Sequence, residues 1–142
     1  MFRELNGDLF YGTSKKPEEA LLHCVSRDFY MGRGIAVEFG YRFGGAEQLY
    51  AQNKTVGQAA VIRYEQRWIY YLVTKEHYYV KSTYDIIEQA LKDANQHMEE
   101  NNVTSVSMPQ IGSGLDKLQW IHVRDLILRH LANRRNVTVY KQ

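Results

Sequence analysis

The sequence predicts an α/β domain whose helices pack on a mixed β-sheet. Segments of strand character alternate with segments of helical periodicity along the 142-residue chain. Two of the strand segments are separated by a connection short enough for a hairpin, which adds an antiparallel pair to the sheet. A hydrophobic fraction of 44% and a charged fraction of 24% are ordinary for a globular chain, so we expect residues 1–142 to form one domain.

The expected strands are short runs of apolar, β-branched and aromatic residues bounded by turn signals. The first run is mixed and ends at the turn signal Asn6-Gly7, and residues 64–66 form the tight hairpin connection. The run at residues 69–73 does not alternate, which predicts a central strand buried on both faces. The six expected strands span residues 2–5, 21–26, 59–63, 67–74, 103–108 and 137–140.

Four helices are expected, and the longest has the clearest end signals. Ser82 or Thr83 caps its start, Ser82 and Asp85 have the form of a capping box, and Asn101 with Asn102 ends it. Its core-facing residues recur at helical spacing and are Tyr84, Ile87, Leu91, Ala94 and Met98. The other helices span residues 35–39, 46–52 and about 118–132, and in the last we expect Ile121, Leu128 and Leu131 to face the core.

Charge and composition exclude several classes of protein. The 18 basic and 16 acidic residues give a formal net charge of +2, too balanced for a protein that wraps nucleic acid. Cys24 is the single cysteine, so a disulfide framework is excluded and a reducing compartment is favoured. The sequence has no apolar run of transmembrane length and no signal peptide. We therefore expect a soluble intracellular protein without a membrane partner.

Two glycine-bearing loops, each between a strand and a helix, are candidate phosphate sites. Backbone N–H groups at a helix start can cradle a phosphate, and glycine lets the ligand approach closely. The first loop alone is more simply a flexible turn, whereas two such loops could hold both phosphates of a diphosphate. Neither a P-loop nor a correctly placed Rossmann fingerprint is present. The loop residues are Gly32, Gly34, Ile35 and Ala36 in the first, and Gln110, Ile111, Gly112, Ser113, Gly114, Leu115 and Asp116 in the second.

Two charged residues beside these loops have a structural and a chemical interpretation. Asp116 follows the second loop, where an acidic residue ordinarily caps a helix start, and it could instead act as an acid or base beside a bound sugar. Lys75 ends a strand, where lysine is ordinarily solvated, and it becomes a nucleophile only if its neutral form is accessible. The histidines show no zinc spacing. We expect His23 to be packed and hydrogen-bonded, facing away from Cys24.

Taken together, these segments resemble the macrodomain family. The closest likeness is to the branch of terminal ADP-ribose protein glycohydrolases, and it extends from about residue 5 to residue 140 with the segments in family order. The segments that carry the resemblance are residues 7–10, 23–26, 31–36, 70–75 and 108–120.

The resemblance implies a three-layer α/β/α fold with a central mixed sheet and a cleft for ADP-ribose. In this family Asp8 binds the adenine amino group, the backbone of Leu9 contacts the same ring, and Ser26 lies near the distal ribose. The two glycine loops then surround the diphosphate and the distal ribose. Gln142 falls beside the adenine, where the family has an apolar residue, and it could stack its aliphatic stem or donate a hydrogen bond.

The resemblance also implies a catalytic pair, Lys75 and Asp116. The implied reaction removes ADP-ribose from glutamate or aspartate side chains of proteins: Lys75 attacks the anomeric carbon, and Asp116 acts as the base that resolves the adduct. Deacylation of O-acetyl-ADP-ribose is the same chemistry on a smaller leaving group. The scheme requires no cofactor or metal. The implied partners are ADP-ribose and ADP-ribosylated proteins. The resemblance also implies a monomer that acts in the nucleus or cytoplasm, where such chemistry serves the DNA damage response.

Other functions use the same loops. A reader module would bind ADP-ribose without turnover, because a phosphate cradle needs no catalytic pair. A phosphatase would release phosphate from ADP-ribose 1″-phosphate. Nucleic-acid binding is disfavoured by the near-neutral charge.

Overall fold

The computed structural model describes residues 1–32, 34–112 and 116–142. It contains strands and helices in an alternating order with one hairpin. No helix in these ranges is both long and apolar enough to cross a bilayer. The elements are β1 (Phe2–Asn6), α1 (Leu9–Gly12), β2 (Ala20–Ser26), α2 (Ile35–Phe43), α3 (Ala46–Ala51), β3 (Gln58–Tyr64), β4 (Arg67–Lys75), α4 (Tyr84–Glu100), β5 (Ser105–Pro109), α5 (Trp120–Ile127), which continues as a π-helical turn (Leu128–Ala132), and β6 (Asn136–Lys141).

The sheet is mixed, as the sequence predicts. Its strand order is β1-β6-β5-β2-β4-β3, and every neighbouring pair is parallel except the β3–β4 hairpin. The carboxyl ends of the five parallel strands therefore lie at one edge, which is where open α/β sheets bind ligands. The residues at these ends are Asn6, Ser26, Lys75, Pro109 and Lys141.

Two apolar clusters, one on each face of the sheet, complete a three-layer arrangement. One cluster joins the sheet to α4 and α5, and the other joins it to α1, α2 and α3. β4 contributes to both, because Tyr70 and Leu72 belong to the first cluster and Ile69, Tyr71 and Val73 to the second. All five side chains are fully buried, which confirms the predicted strand buried on both faces.

The start of the longest helix follows the local capping signal, but Asp85 has a different hydrogen-bond partner from the predicted one. Thr83 caps α4, since its Oγ1 accepts a hydrogen bond from the backbone N–H of Ile86 at 3.2 Å. Asp85 does not complete a capping box with Ser82, because its carboxylate accepts from Gln89. The four-residue α1 has no signal in the apolar periodicity, and it forms where Asp8 caps a single turn.

The last helix begins at Trp120, and its buried stripe differs from the predicted one. Ile121 is 59% exposed and Leu128 is also exposed, so their expected burial is wrong, whereas Leu131 is buried as expected. Val123 and Ile127 face the core instead. This helix carries two apolar stripes, and either of them could face the core. They lie on neighbouring faces because each residue adds about 100° of rotation.

The position of the buried stripe gives a direct stability test. Truncating Ile127 to alanine leaves a cavity in the core, so we expect Ile127→Ala to lower the free energy of unfolding by about 2–5 kcal/mol. The matched exposed substitution, Ile121→Ala, should change it by less than about 0.5 kcal/mol. Urea denaturation of both variants measures the difference. Equal losses would contradict the observed orientation of this helix.

Candidate active site

Lys75 and Asp116 meet at the carboxyl edge of the sheet. The Lys75 ammonium Nζ lies 3.0 Å from Asp116 Oδ1. Their side chains are 13% and 7% exposed, so the default expectation of a solvated strand-end lysine is wrong here. Lys75 is held in this position because it ends β4 and because its carbonyl accepts a hydrogen bond from the Arg27 N–H at 2.7 Å.

Asp116 is fixed from a second direction. Its Oδ1 also accepts a hydrogen bond from the backbone N–H of Ser82 at 3.1 Å. It does not cap the last helix, since Gln119 occupies the N-cap position, and the helix-capping role expected for Asp116 is therefore wrong. The carboxylate instead joins the end of β4 to the segment that precedes α4. The loop that carries it is closed by a hydrogen bond from Leu118 N to Gly112 O at 2.9 Å.

A cleft runs from this pair along the edge of the sheet as two adjoining cavities. Both cavities are bordered by Ile35, Pro109 and Gln110. The inner cavity, of about 290 Å³, is also lined by His23, Cys24, Lys75, Ile111, Gly112 and Asp116. The outer cavity, of about 490 Å³, is also lined by Asp8, Leu9, Gly34, Glu38, Lys141 and Gln142. An extended ligand could therefore reach from Asp8 to Lys75.

Most of the residues expected to contact ligand border this cleft. Those that do are Asp8, Leu9, Gly34, Ile35, Gln110, Ile111, Gly112 and Gln142, together with Lys75 and Asp116. Ser26, Gly32 and Ala36 line neither cavity. Ser113, Gly114 and Leu115 lie outside the described residues. Pro109 and Glu38 also line the cleft, although the sequence analysis did not include them among the ligand-contacting residues. The only sequence signal for them was their position, since Pro109 ends a strand and Glu38 lies one turn into α2.

At the outer end of the cleft, Asp8 already has two partners. Its Oδ2 accepts a hydrogen bond from Tyr11 N at 2.8 Å, and its Oδ1 accepts one from the Gln142 side-chain amide at 3.3 Å. Gln142 thus reaches the residue that the family resemblance assigns to adenine, and its contact is a hydrogen bond.

Asp28 organises the loop after β2. Its Oδ1 accepts hydrogen bonds from Ser26 Oγ at 2.5 Å and from Tyr30 N at 3.1 Å. Burial opposes ionisation of Asp28, but these hydrogen bonds and the nearby His77 outweigh it and lower the pKa of the carboxyl group. Ser26 is therefore turned toward Asp28. The sequence gives no local signal for this contact.

Glycine is favoured at two positions of the first loop, for different reasons. Gly34 has φ +57°, a left-handed conformation, and forms the N-cap of α2. A Cβ on Gly32 would lie 2.6 Å from the ring of Tyr30. Gly34 presents the first turn of α2 to the cleft, and Gly32 makes room for an aromatic side chain.

His23 and Cys24 lie on opposite faces of the sheet, as expected. His23 stacks on Phe39 with ring centroids 3.7 Å apart, and Cys24 packs with the cluster on the other face. Within the described part of the chain neither ring nitrogen of His23 has a hydrogen-bond partner, so the expected hydrogen bond is wrong. Burial lowers the pKa of His23 from 6.5 to about 3, and burial followed by the charge of Asp116 raises the pKa of Cys24. Both groups are therefore neutral near neutral pH.

The described ranges 1–32, 34–112 and 116–142 contain no group of three or more His, Cys, Asp or Glu side chains arranged to hold a metal ion.

The family model described as Macro domain matches residues 22–127 of the chain. The chain belongs to the macrodomain family. The ADP-ribose glycohydrolase OARD1 of Homo sapiens is 43% identical over 123 residues, which cover 87% of this macrodomain and 79% of the relative. A relative from Thermus aquaticus named DNA ADP-ribosyl glycohydrolase is 29% identical and aligns with 99% of this chain, which spans 40% of that longer protein.

Solved structures agree with the family assignment. The macrodomain of Thermus aquaticus DarG superimposes with a TM-score of 0.83 at 28% identity, covering 100% of this chain and 99% of the other. The macrodomain of Mycobacterium tuberculosis DarG has the same TM-score at 26% identity, with coverage of 99% and 97%. The α/β/α fold implied by the sequence resemblance is confirmed.

The buried imidazole of His23 predicts a loss of stability in acid. Its pKa is lower in the folded protein, about 3, than the ordinary 6.5. The unfolded chain therefore binds more protons between these values, and stability is complete above about pH 6.5 and falls as the pH decreases toward 3, by at most about 1.4 kcal/mol per pH unit. We expect His23→Leu to remove this slope.

The measurement is the free energy of unfolding from urea denaturation at several values between about pH 4 and about pH 7. His122→Leu, at an exposed position on α5, is the matched control and should keep the acid slope. An unchanged slope in His23→Leu would contradict the assignment of the acid sensitivity to this residue.

Proposed function

We propose that this macrodomain is a hydrolase that removes ADP-ribose from mono-ADP-ribosylated glutamate and aspartate side chains of proteins. By the same chemistry it deacylates O-acetyl-ADP-ribose. The observation that carries the proposal is the 3.0 Å contact between Lys75 and Asp116, largely buried at the inner end of a cleft. Relatives named ADP-ribose glycohydrolases, at 43% identity, support the reaction class.

ADP-ribose is proposed to lie along the cleft with its adenine outside and its distal ribose inside. Asp8 and Gln142 meet the adenine at the outer cavity. The first-turn amides of α2, beginning after Gly34, face the diphosphate, because a helix start carries unpaired N–H groups and the positive end of the helix dipole. The loop at 110–112 closes over the other side, and the anomeric carbon comes to Lys75.

The first chemical step forms a bond between Lys75 and the ribose. Asp116 accepts a proton from the Lys75 ammonium, and the neutral amine attacks the anomeric carbon. The bond between that carbon and the glutamate or aspartate oxygen breaks, and the carboxylate leaves with the electron pair. The hydrogen bond from Ser82 N keeps Asp116 directed at the amine.

The second step releases the product. Asp116 first passes the proton that it took from Lys75 to the departing carboxylate. As a carboxylate again, it takes a proton from water, the water oxygen attacks the anomeric carbon, and the carbon–nitrogen bond breaks with its electron pair returning to the Lys75 nitrogen. The oxygen of water ends in ADP-ribose, and the lysine recovers its proton. No step of this scheme uses a cofactor. Both steps are proposed to take place in a single domain formed by residues 1–142.

Removing the proposed nucleophile separates catalysis from binding. Lys75→Ala should lower the rate of ADP-ribose release from a carboxylate-linked substrate by about 1,000-fold or more. The affinity for ADP-ribose should change by less than about tenfold, because Lys75 contributes mainly to the reacting state. Calorimetry and a release assay measure the two effects. Lys81→Ala removes an exposed lysine from the same connection and is the matched control.

A folded Lys75→Ala variant that releases ADP-ribose at the wild-type rate would overturn the covalent mechanism. Tight binding of ADP-ribose by the wild type without release from any linkage would indicate a reader module. Release of phosphate from ADP-ribose 1″-phosphate would indicate a phosphatase.

Removing the proposed base should trap the adduct. In Asp116→Ala, at about pH 9 where hydroxide replaces the missing base in the first step, we expect an ADP-ribose-sized mass increase on the peptide that contains Lys75. The variant should also lose about 1–3 kcal/mol of stability, because Ser82 N loses its buried acceptor. Asp116→Asn keeps an acceptor oxygen and is the control for folding. A folded Asp116 variant with neither adduct nor slowed release would contradict the proposed base.

A further inference from the structure

The pairing of β2 with β4 continues beyond the two strands through side chains. Ser26 pairs with Lys75 in the last register position of the two strands, and the N–H of Arg27 donates to the carbonyl of Lys75 at 2.7 Å. Three side-chain contacts then follow in the same order along the loops after both strands. These contacts, here named the loop ladder, are Arg27–Glu76, Asp28–His77 and Tyr30–Tyr78.

The three contacts of the loop ladder are individually weak. The ionic contacts measure 3.3 Å between Arg27 and Glu76 and 3.7 Å between Asp28 and His77, and the side chains of both pairs are about half exposed. The stacked tyrosine rings have centroids 4.2 Å apart. Ion pairs in contact with solvent contribute little to stability. We therefore expect the ladder to set the relative position of the two loops, while the core holds the fold together.

The ladder accounts for two residues that were expected to bind ligand and that line neither cavity. Ser26 Oγ donates to the Asp28 carboxylate at 2.5 Å, so its only hydroxyl proton is directed at the ladder. Gly32 leaves space for the ring of Tyr30, because a Cβ at that position would lie 2.6 Å from the ring. Both residues therefore support the contacts between the loops.

Asp28 is the member of the ladder with partners on three segments of the chain. In its own loop its Oδ1 accepts hydrogen bonds from Ser26 Oγ and from Tyr30 N, and its Oδ2 faces His77 in the other loop. Its backbone carbonyl accepts a hydrogen bond from the Tyr50 hydroxyl on α3. Loss of this one carboxylate would release both loops from each other.

The turn that follows Asp28 has a backbone conformation that needs such support. Phe29 has φ +52°, which is uncommon for a residue with a bulky side chain, and its ring is buried against Tyr50. The N–H of Phe29 donates to the carbonyl of Ser26 at 2.9 Å, which closes the turn. Strained conformations persist only where the surrounding contacts over-determine them, and they cluster at functional sites.

The two loops joined by the ladder lead to the two ends of the proposed reacting complex. The loop after β2 leads to Gly34 and the first turn of α2, which face the diphosphate in that complex, and the loop after β4 follows directly on Lys75. The distance from the bound diphosphate to the lysine amine therefore depends on how the loops lie against each other. A displacement of about 1 Å can lower the rate of a reaction about 100-fold.

We propose that Asp28 is a positioning residue, which acts through the loop ladder to align the anomeric carbon of bound ADP-ribose with Lys75. The proposal rests on the proposed hydrolysis and adds to it a residue that lines neither cavity of the cleft. Because Asp28 supports the alignment of the bound ligand without lining its cleft, its loss lowers the rate of the bound complex and leaves the affinity for ADP-ribose nearly unchanged.

The test measures release of ADP-ribose from a peptide that carries it on a glutamate. Values of kcat and KM are determined for wild type, Asp28→Ala and Asp28→Asn, calorimetry gives the Kd of ADP-ribose, and thermal melting checks folding. The carboxamide of Asp28→Asn keeps an oxygen that can accept from Ser26 and Tyr30. Asp125→Ala is the matched control, because it removes a carboxylate on α5 that faces Arg129 at 2.7 Å and lines neither cavity.

We expect Asp28→Ala to lower kcat by about 10- to 100-fold. Its KM and its Kd for ADP-ribose should stay within about threefold of wild type, a separation that a general loss of folded protein would not produce. Asp28→Asn should return kcat to within about threefold of wild type, because the acceptor within the loop is restored. Asp125→Ala should match wild type in all three quantities.

A second variant tests whether Asp28 acts through the ladder. Tyr78→Leu removes the ring that stacks on Tyr30, and it should lower kcat by about 3- to 10-fold, the factor to which the interaction of a stacked aromatic pair corresponds. In the double variant with Asp28→Ala the two losses should not multiply, because both contacts join the same two loops. Its kcat should lie within about twofold of that of Asp28→Ala.

A folded Asp28→Ala variant with the kcat of wild type would overturn the proposal, and so would a loss confined to KM and Kd or losses that multiply in the double variant. If Asp28→Ala does not fold, Tyr78→Leu decides, and an unchanged kcat in that variant overturns the proposal. Each of these results leaves the hydrolysis standing. Failure of the wild type to release ADP-ribose from the peptide would overturn the proposed hydrolysis itself, and the positioning role with it.

Discussion

The contact between Lys75 and Asp116 is the constraint on which the cleft depends. Two charges removed from water are costly unless each faces the other, and the 3.0 Å contact with a further hydrogen bond from Ser82 N satisfies both. One carboxylate oxygen therefore holds together the end of β4, the loop after β5 and the segment before α4. The same contact brings the proposed nucleophile within reach of the proposed base, so the geometry of the cleft and the proposed chemistry rest on one interaction.

The parallel sheet explains why residues far apart in the sequence meet in one cleft. Each parallel strand ends at the same edge, where Lys75 is the last residue of β4 and the loops after the other strands carry Asp8, Gly34, Gln110 and Asp116. The antiparallel β3 lies at the far edge of the sheet and does not interrupt this row. The position of the cleft is thus a property of topology, whereas its chemistry is a property of a few side chains.

Local patterns predicted most of the elements, and the errors in the last helix and at the site came from contacts between distant residues. Strand runs, the hairpin and the limits of α4 could be read because turn and capping residues act on their immediate neighbours. The orientation of the last helix could not be predicted, because it carries two apolar stripes and only tertiary packing determines that the one with Val123 and Ile127 is buried. For the site, glycine loops and strand ends indicated where ligand binds. The pairing of Lys75 with Asp116 and of Asp116 with Ser82 spans 41 and 34 residues and has no local signal.

A double-mutant cycle on the ion pair tests the central claim most directly. The rate of ADP-ribose release from a carboxylate-linked substrate is measured for wild type, Lys75→Ala, Asp116→Ala and the double variant, each checked for folding by thermal melting. If the two residues act as one unit, the double variant loses little more than Lys75→Ala alone, and the two single losses do not add. Losses that add to within about 0.5 kcal/mol in activation free energy would show that the residues act independently and would contradict the account.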